Sequence, residues 1–579
     1  MKKAFLSILF VAMSIVTFAQ QWTSISGNRP AAPQVKLVSS TENQIVVDFS
    51  LSGFNLTKVN TPNGAQQIVS VPKMVSMLES GAPDLPQFAI PAIIGDLAEM
   101  QVSVSKSDFT DYQDIEIAPS KGNFSRQIDP ATVPYTYGAM YNENAFYPAT
   151  QASLEAPYIL RDFRGQNIMV TPFAYNAATK TLRVYHNMTL TMTKVSDKGA
   201  NPKAARKSNT VKVDPQMKAD YSRRFINFGE SAAKYTFVED FGEMLVICPE
   251  QYMEAMQPLV DWKNQSGRPT TMVSVAEAGG NTPNDIKAYI RSIYEDPERD
   301  LMFILLVGDY TDLYPSNFSG GGYSDNWYGQ LEGSDYYVEA LTGRFSVSNV
   351  TDVETHVNKV LYYERDMPAG LTWLNTGMGI GANEGAGSGH NGGEADYVHI
   401  NYVRDTLLHY TYETVTQQYS GVGSGTSASA MSADFNNGVS IANYCNHGSQ
   451  TSWAVGGFSN SHVNALTNDY MWPYIISVAC NNGEFNGNCF GEAWLRATNN
   501  ATGVPTGAIG GMFSWISQPW QPPMTGQDEM VDIITGWISP DQFNHTMGGA
   551  FLNGNMKVLD NHPSDNGATY NTWILFGDP

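Results

Sequence analysis

Two short segments hold the residues that could do covalent chemistry. "GVSIANYCNHG" runs from apolar Val439 and Ile441 into His447 and Gly448, and 33 residues beyond His447 the run "WPYIISVAC" ends on Cys480. A thiol becomes a nucleophile when an imidazole within hydrogen-bonding reach favours the thiolate and later protonates the leaving group. Gly448, lacking a side chain, leaves its N–H free to approach a substrate oxygen, and the N–H of Cys480 is a second donor for an oxyanion. A cysteine closing an apolar strand also fits a small buried hydrophobe, and spacing alone leaves both readings open.

Pairing His447 with Cys480 requires elements that bring two strand ends to one edge. After Lys234 short apolar runs alternate with helical periods: "EMLVICP", then "EQYMEAMQPLVDWKNQSG", then "TTMVSV". Thr282 caps a further helix with Pro283 in its first turn, and Ile286, Tyr289, Ile290, Ile293 and Tyr294 share one face. "LMFILLVGD" is apolar on both faces, as a central parallel strand is. Continued through "VETHVNKVLYYER" and "ADYVHINYVRDTLLHY", the pattern predicts an α/β domain, a parallel or mixed sheet flanked by helices, with sites at the carboxyl ends of strands.

Residues 20–234 read differently. "TLRVYHNMTLTMTKV" alternates Leu182, Val184, His186, Met188, Leu190 and Met192 with polar residues, the period of a half-buried strand, so an all-β domain is expected. The basic stretch "KGANPKAARKSNTVKVDPQMKADYSRRF" reads as a solvated linker or an exposed processing region. Residues 1–19 have the layout of a cleaved signal peptide, and no later stretch holds eighteen uninterrupted apolar residues, so a secreted or cell-surface protein without a transmembrane span is expected. With 34 Lys+Arg against 56 Asp+Glu the net charge of -22 repels phosphate backbones and excludes nucleic acid as a partner. Four cysteines, Cys248, Cys445, Cys480 and Cys489, are few for an exported chain reliant on disulfides, which leaves thiols free for chemistry.

"NYCNHGSQTSW", "ISVACNNGEF", "CFGEAWLRA", "PWQPPMTGQDEM" and the terminal "FGDP" resemble the gingipain family of secreted bacterial cysteine peptidases, the arginine-specific members above all. "LVDWKNQSG", "LLVGD", "GSDYY" and "GRFS" keep the register from about Tyr235 to Pro579, and a weaker likeness extends upstream. The resemblance implies a caspase-like catalytic domain in two subdomains, 235–374 and 375–579, behind an inhibitory propeptide at 20–234. It implies a monomeric zymogen that cleaves proteins and peptides after basic residues, with Cys480 as nucleophile, His447-Gly448 opposite it, and Glu384 orienting the imidazole.

The same resemblance puts Asp396 at the base of the S1 pocket, Trp520 and Met524 on its walls, and Val478 two residues before the nucleophile. A guanidinium can pair with Asp396 through two hydrogen bonds, and Pro523 stands where lysine-specific members carry an aspartate, so arginine is preferred and lysine is possible. Cys445 stands where threonine is usual, which puts it against S1, and Asn446 where glycine or alanine is. A structural Ca²⁺ is implied on the side chains of Asp335 and Glu339 and the carbonyls of Glu332 and Tyr337, joined by Asp309, Glu394 and His399. Oxygen ligands suit that hard cation, for which His399 is unusual. No catalytic metal is implied. Processing is implied after Lys234, or at Arg223 or Arg224. A sortase-like transpeptidase using the same dyad, and a catalytically silent adhesin, are the alternatives.

Overall fold

The computed structural model describes residues 21–204, 208–387, 389–536 and 546–579; the expected signal peptide lies outside the described residues. The carboxyl-terminal half is built on ten strands: β1 (Glu243–Cys248), β2 (Thr270–Ser274), β3 (Leu301–Val307), β4 (Leu341–Phe345), β5 (Thr376–Ala382), β6 (Thr414–Ser420), β7 (Ile441–Cys445), β8 (Tyr474–Val478), β9 (Gly510–Ser514) and β10 (Trp573–Phe576). They form one sheet in the order β2-β1-β3-β4-β10-β9-β8-β7-β5-β6. Every residue of β1, β3, β7 and β8 is buried, which explains their largely apolar runs: both faces are covered.

Helices α1 (Glu250–Gln265), α2 (Pro283–Tyr294), α3 (Val350–Leu361), α4 (Asp396–Tyr410), α5 (Phe490–Arg496), α6 (Pro522–Ile534) and α7 (Met547–Asn561) supply the cover. Alternation along β3 assigns the two sides. Phe303, Leu305 and Val307 join Met256, Leu259, Val353 and Val357 in one core, while Ile304 and Leu306 join Ile286 and Ile290 of α2 in another. Thr282 caps α2 as its sequence requires, accepting the N–H of Asp285. Among the described residues no helix is long and apolar enough to cross a membrane.

Register places the chemistry. β5, β7 and β8 are parallel neighbours in which Gly381 pairs with Cys445 and Cys445 with Val478. His447 and Cys480 therefore overhang the sheet by the same two residues, and Glu384 follows Gly381 by three. The starts of β1, β3, β8 and β9 line one cavity through Met244, Phe303, Tyr474 and Ile509, so the carboxyl ends of both halves open on the opposite edge. β10 runs antiparallel to β9 and meets β4 at Arg344 and Phe576, which makes the sheet mixed.

The N-terminal region is strand-rich. Thr181–Ser196 pairs antiparallel with Gln44–Ser50 and Glu99–Tyr112, and the expected alternation holds except at His186, which a bulge between Tyr185 and Asn187 leaves half-buried. The linker reading is corrected beyond residue 208. Thr210–Val213 pairs in parallel with Thr236–Glu239, and Pro215–Arg224 is a helix whose Met217 and Tyr221 enter the core shared with β1 and β3. Asp214 accepts the N–H of Gln216 and Pro215 begins the first turn, a local start signal stronger than the surrounding charge. The region is therefore β-rich with a helical end, not purely β.

Candidate active site

His447 Nε2 lies 2.9 Å from Glu384 Oε2, and its ring meets that of Trp520 edge to face at 5.6 Å. The loop carrying it is tied to the nucleophile's strand. Tyr444 donates its hydroxyl to the carbonyl of His447 at 2.5 Å, accepts the N–H groups of Ala454 and Val455, and stacks on Trp453 at 4.4 Å. Trp453 Nε1 in turn donates to Ser477 Oγ, and Ser477 Oγ to Asn482 Oδ1, two residues beyond Cys480.

Gly448 is required by close approach: a Cβ there would lie 2.9 Å from Ala479 Cβ and 3.0 Å from the Cys480 carbonyl oxygen. Ala454 N–H donates to His447 O, so the next pair of this small hairpin, Gly448 with Trp453, is a non-hydrogen-bonded pair whose Gly448 N–H points away from its partner strand. Cys480 is buried and precedes Asn481, which holds a left-handed φ of 58°. Burial pushes the Cys480 thiol pKa up, against the opposing pull of the Arg126 guanidinium and a backbone hydrogen bond from Gln518.

Asp396 is the first residue of α4, where the helix dipole favours a carboxylate, and its N–H donates to Glu384 O at 2.6 Å. Its partner comes from the N-terminal region. Arg126 and Asp396 are both 0% exposed, and Arg126 Nη1 lies 3.0 and 3.1 Å from the two carboxylate oxygens. Nη2 lies 3.2 Å from Cys445 Sγ and 3.1 Å from Trp520 O, and the guanidinium sits 4.6 Å over the Trp520 ring. The segment is held by an isolated antiparallel bridge, Ser125 opposite Pro519: Arg126 N–H donates to Gln518 O and Trp520 N–H to Phe124 O.

Cys445 Sγ lies 3.3 Å from Asp396 Oδ1, so this thiol and that carboxylate both face the Arg126 guanidinium. Val478 and Met524 are buried, Val478 as the register partner of Cys445. Arg126 is the residue that sequence reasoning missed. It sits in "KGNFSRQIDP", among turn formers with no periodicity, and the available signal was a basic side chain inside a propeptide expected to restrain a peptidase with an acidic S1.

The family model described as peptidase family C25 matches residues 239–579, and the C25 propeptide model matches residues 26–230. The chain belongs to peptidase family C25. It is 37% identical to Gingipain R2 of Porphyromonas gingivalis over 589 residues, which is 100% of this chain and 78% of that protein. It is also 37% identical to a Gingipain R1 of the same organism, over 97% of this chain and 56% of that one. The crystal structure of the Arg specific cysteine proteinase gingipain R matches with a TM-score of 0.56 at 36% identity, over 58% of this chain and 77% of that one. A complex of Porphyromonas gingivalis RgpB pro- and mature domains matches with a TM-score of 0.55 at 36% identity, over 58% of this chain and 79% of that one.

The seven positions of this C25 peptidase that the resemblance assigns to calcium fall into separate sets. Glu332, Asp335 and Glu339 share the turn-rich segment before β4. There Glu339 Oε2 accepts the N–H groups of Leu331 and Glu332, Asp335 accepts from Ile159, Asn201 and Tyr337, and Glu332 pairs with Lys203. Glu339 Oε1 is buried without a hydrogen-bond partner, and burial raises the pKa of that carboxyl to about 8. The Tyr337 hydroxyl is engaged by Asp560.

Asp309, past the end of β3, caps its own turn through Thr311 and Asp312. Glu394 and His399 gather with His390 and Asp528 instead. His390 lies 2.7 Å from Glu394 and 3.2 Å from Asp528; burial opposes its charge, but the two carboxylates outweigh that and raise its pKa to about 10. Glu394 Oε2 and His399 Nδ1 are buried without a hydrogen bond, Nδ1 lying 3.6 Å from Asp528 Oδ1, and among the described residues His390, His399 and Asp528 are the group whose ligand atoms could converge on a cation.

The processing positions also separate. Arg223 and Arg224 end a helix, with Arg223 against Asp220 and Asn553 and Arg224 2.6 Å from both oxygens of Asp560, so neither presents an extended, accessible bond in this packed form. Lys234 is exposed and paired with Glu42 at 3.0 Å.

Proposed function

We propose that this chain is the zymogen of a cysteine endopeptidase that cleaves proteins after arginine, restrained by its own Arg126 lodged where a substrate arginine binds. The observation that carries the reading is the buried contact of Arg126 Nη1 with both oxygens of Asp396, backed by the contacts of Nη2 with Cys445 and Trp520 O and by the backbone bonds joining Arg126 to Gln518 and Trp520 to Phe124. Once the propeptide leaves, a substrate arginine occupies the same contacts. His447 takes the proton of Cys480, the thiolate attacks the carbonyl after that arginine, and the C–S bond forms as negative charge moves to the oxygen facing the N–H groups of Gly448 and Cys480. His447 gives its proton to the departing amine; water then attacks the thioester with His447 as base, freeing the acid and Cys480. Glu384 holds the ring for both transfers.

A lysine ammonium in the same pocket is a point charge that meets Asp396 without also spanning Cys445 and Trp520 O, which supports the arginine preference. Calcium, on this reading, is held by Asp335 and Glu339 with the carbonyls of Glu332 and Tyr337, and the bare Glu339 Oε1 is the group that calls for it. Bound there it would stiffen the segment feeding β4 without touching substrate. The amino-terminal apolar stretch supports export and action outside the cell. The test is a positional-scanning peptide library read with processed enzyme and with C480A. Cleavage confined to bonds after arginine, absent in C480A, is expected, and cleavage by C480A or indifference to the residue before the bond would sink the reading.

A further inference from the structure

The carboxylate of the arginine pocket and the carboxylate beside His447 share one donor. Asn446 Nδ2 lies 2.9 Å from Asp396 Oδ2 and 3.2 Å from Glu384 Oε2, and the residue is only 3% exposed. An amide nitrogen carries two hydrogens, one for each of these anions, so this one group can bridge both carboxylates. The oxygens concerned are the functional ones. Glu384 Oε2 is the atom 2.9 Å from His447 Nε2, and Asp396 Oδ2 is the atom 3.1 Å from the guanidinium Nη1. Asn446 itself is fixed from below, as the residue after β7, with its N–H donating to Val478 O at 3.2 Å. A second, backbone link runs alongside, from Asp396 N–H to Glu384 O.

We propose that Asn446 is a positioning residue that carries the occupancy of the arginine pocket to the catalytic histidine. A guanidinium seated through Nη2 on Cys445 and Trp520 O sets its Nη1 against both oxygens of Asp396 and so fixes the orientation of Oδ2; Oδ2 fixes the amide; the amide holds Glu384 where it orients His447. An ammonium fixes the Asp396 carboxylate less completely, so the preference for arginine enters the chemical step as well as binding. The inference rests on the proposed peptidase reading.

The test compares processed wild-type enzyme, N446A and N446S on matched arginyl and lysyl peptide substrates, with folding checked by thermal melting. In N446A, kcat on the arginyl peptide is expected to fall about 10- to 100-fold, the scale of losing hydrogen bonds to charged groups. KM is expected to change far less, and the arginine-to-lysine ratio of kcat to collapse toward one. N446S, whose hydroxyl can serve only one carboxylate, is expected to lie between. A raised KM with unchanged kcat, or equal losses of kcat on both substrates in N446A and N446S alike, would overturn the proposal. Failure of the wild-type enzyme to cleave after arginine would instead overturn the reading beneath it.

Discussion

Replacing Arg126 with alanine should unlock the zymogen without any cut in the chain. The side chain is wholly buried, its charge answered by Asp396 at 3.0 and 3.1 Å, its second nitrogen spent on Cys445 and Trp520, and its face on the Trp520 ring. Truncation leaves Asp396 buried without its cation, and removing one partner of such a pair costs about 3–5 kcal/mol. At about 1.4 kcal/mol per tenfold, the fraction of molecules with an open pocket rises by two to four orders of magnitude. The rest of the propeptide stays docked through contacts such as Lys73 with Asp532 and Arg224 with Asp560, so the variant should leak activity rather than shed its propeptide. The assay is the initial rate on a fluorogenic arginyl peptide for the full chain, with intact mass showing it uncut and C480A giving the background. R126K, which keeps the charge but loses the contacts of Nη2 with Cys445 and Trp520 O, is expected to fall between. An R126A zymogen as silent as the native one, or no more active than a variant at the distant Arg183, would refute the reasoning.

Glu384→Gln keeps the shape beside His447 but removes the charge 2.9 Å from Nε2, and kcat is expected to fall about 10- to 100-fold with KM little changed on an arginyl peptide. Asp84 in the propeptide is buried against Ser76 with Oδ2 unpartnered, and burial raises its pKa from 3.8 to about 6. The folded form thus binds this proton more tightly than the unfolded chain, so its contribution to stability falls as pH rises from about 4 to 6 and is flat above. Asp84→Asn should remove that slope and raise the melting temperature of the zymogen at pH 7; an unchanged slope in melts from pH 4 to 7 would count against it. Calcium is expected to raise the melting temperature of the processed enzyme and chelation to reverse the gain, with both responses lost in Glu339→Gln.

How far the sequence revealed the site depended on how local each signal was. His447 and Cys480 were legible because each ends an apolar run, and equal overhang from parallel neighbours brings them to one edge whatever the intervening chain does. Arg126 was not, because what defines it is a carboxylate 270 residues away, and nothing in its own turn-rich segment announces burial. The calcium positions divide among separate hydrogen-bond networks for a related reason: spacing cannot show that Glu394 turns toward His390, or that Asp309 is engaged by its own turn. In the stretch taken for a linker, Met217, Tyr221 and Phe225 follow one another at helical intervals, but lysines and arginines between them hid the apolar face.

The place of β10 bears on the order of biosynthesis. Because Trp573–Phe576 lies between β4 and β9, the two halves of the catalytic sheet stay unjoined until the ribosome has made those residues. Arg126 and the strands that carry it have left the ribosome long before. The restraint is therefore born ahead of the machinery it restrains, and the arginine pocket can close around its own plug as it first takes shape.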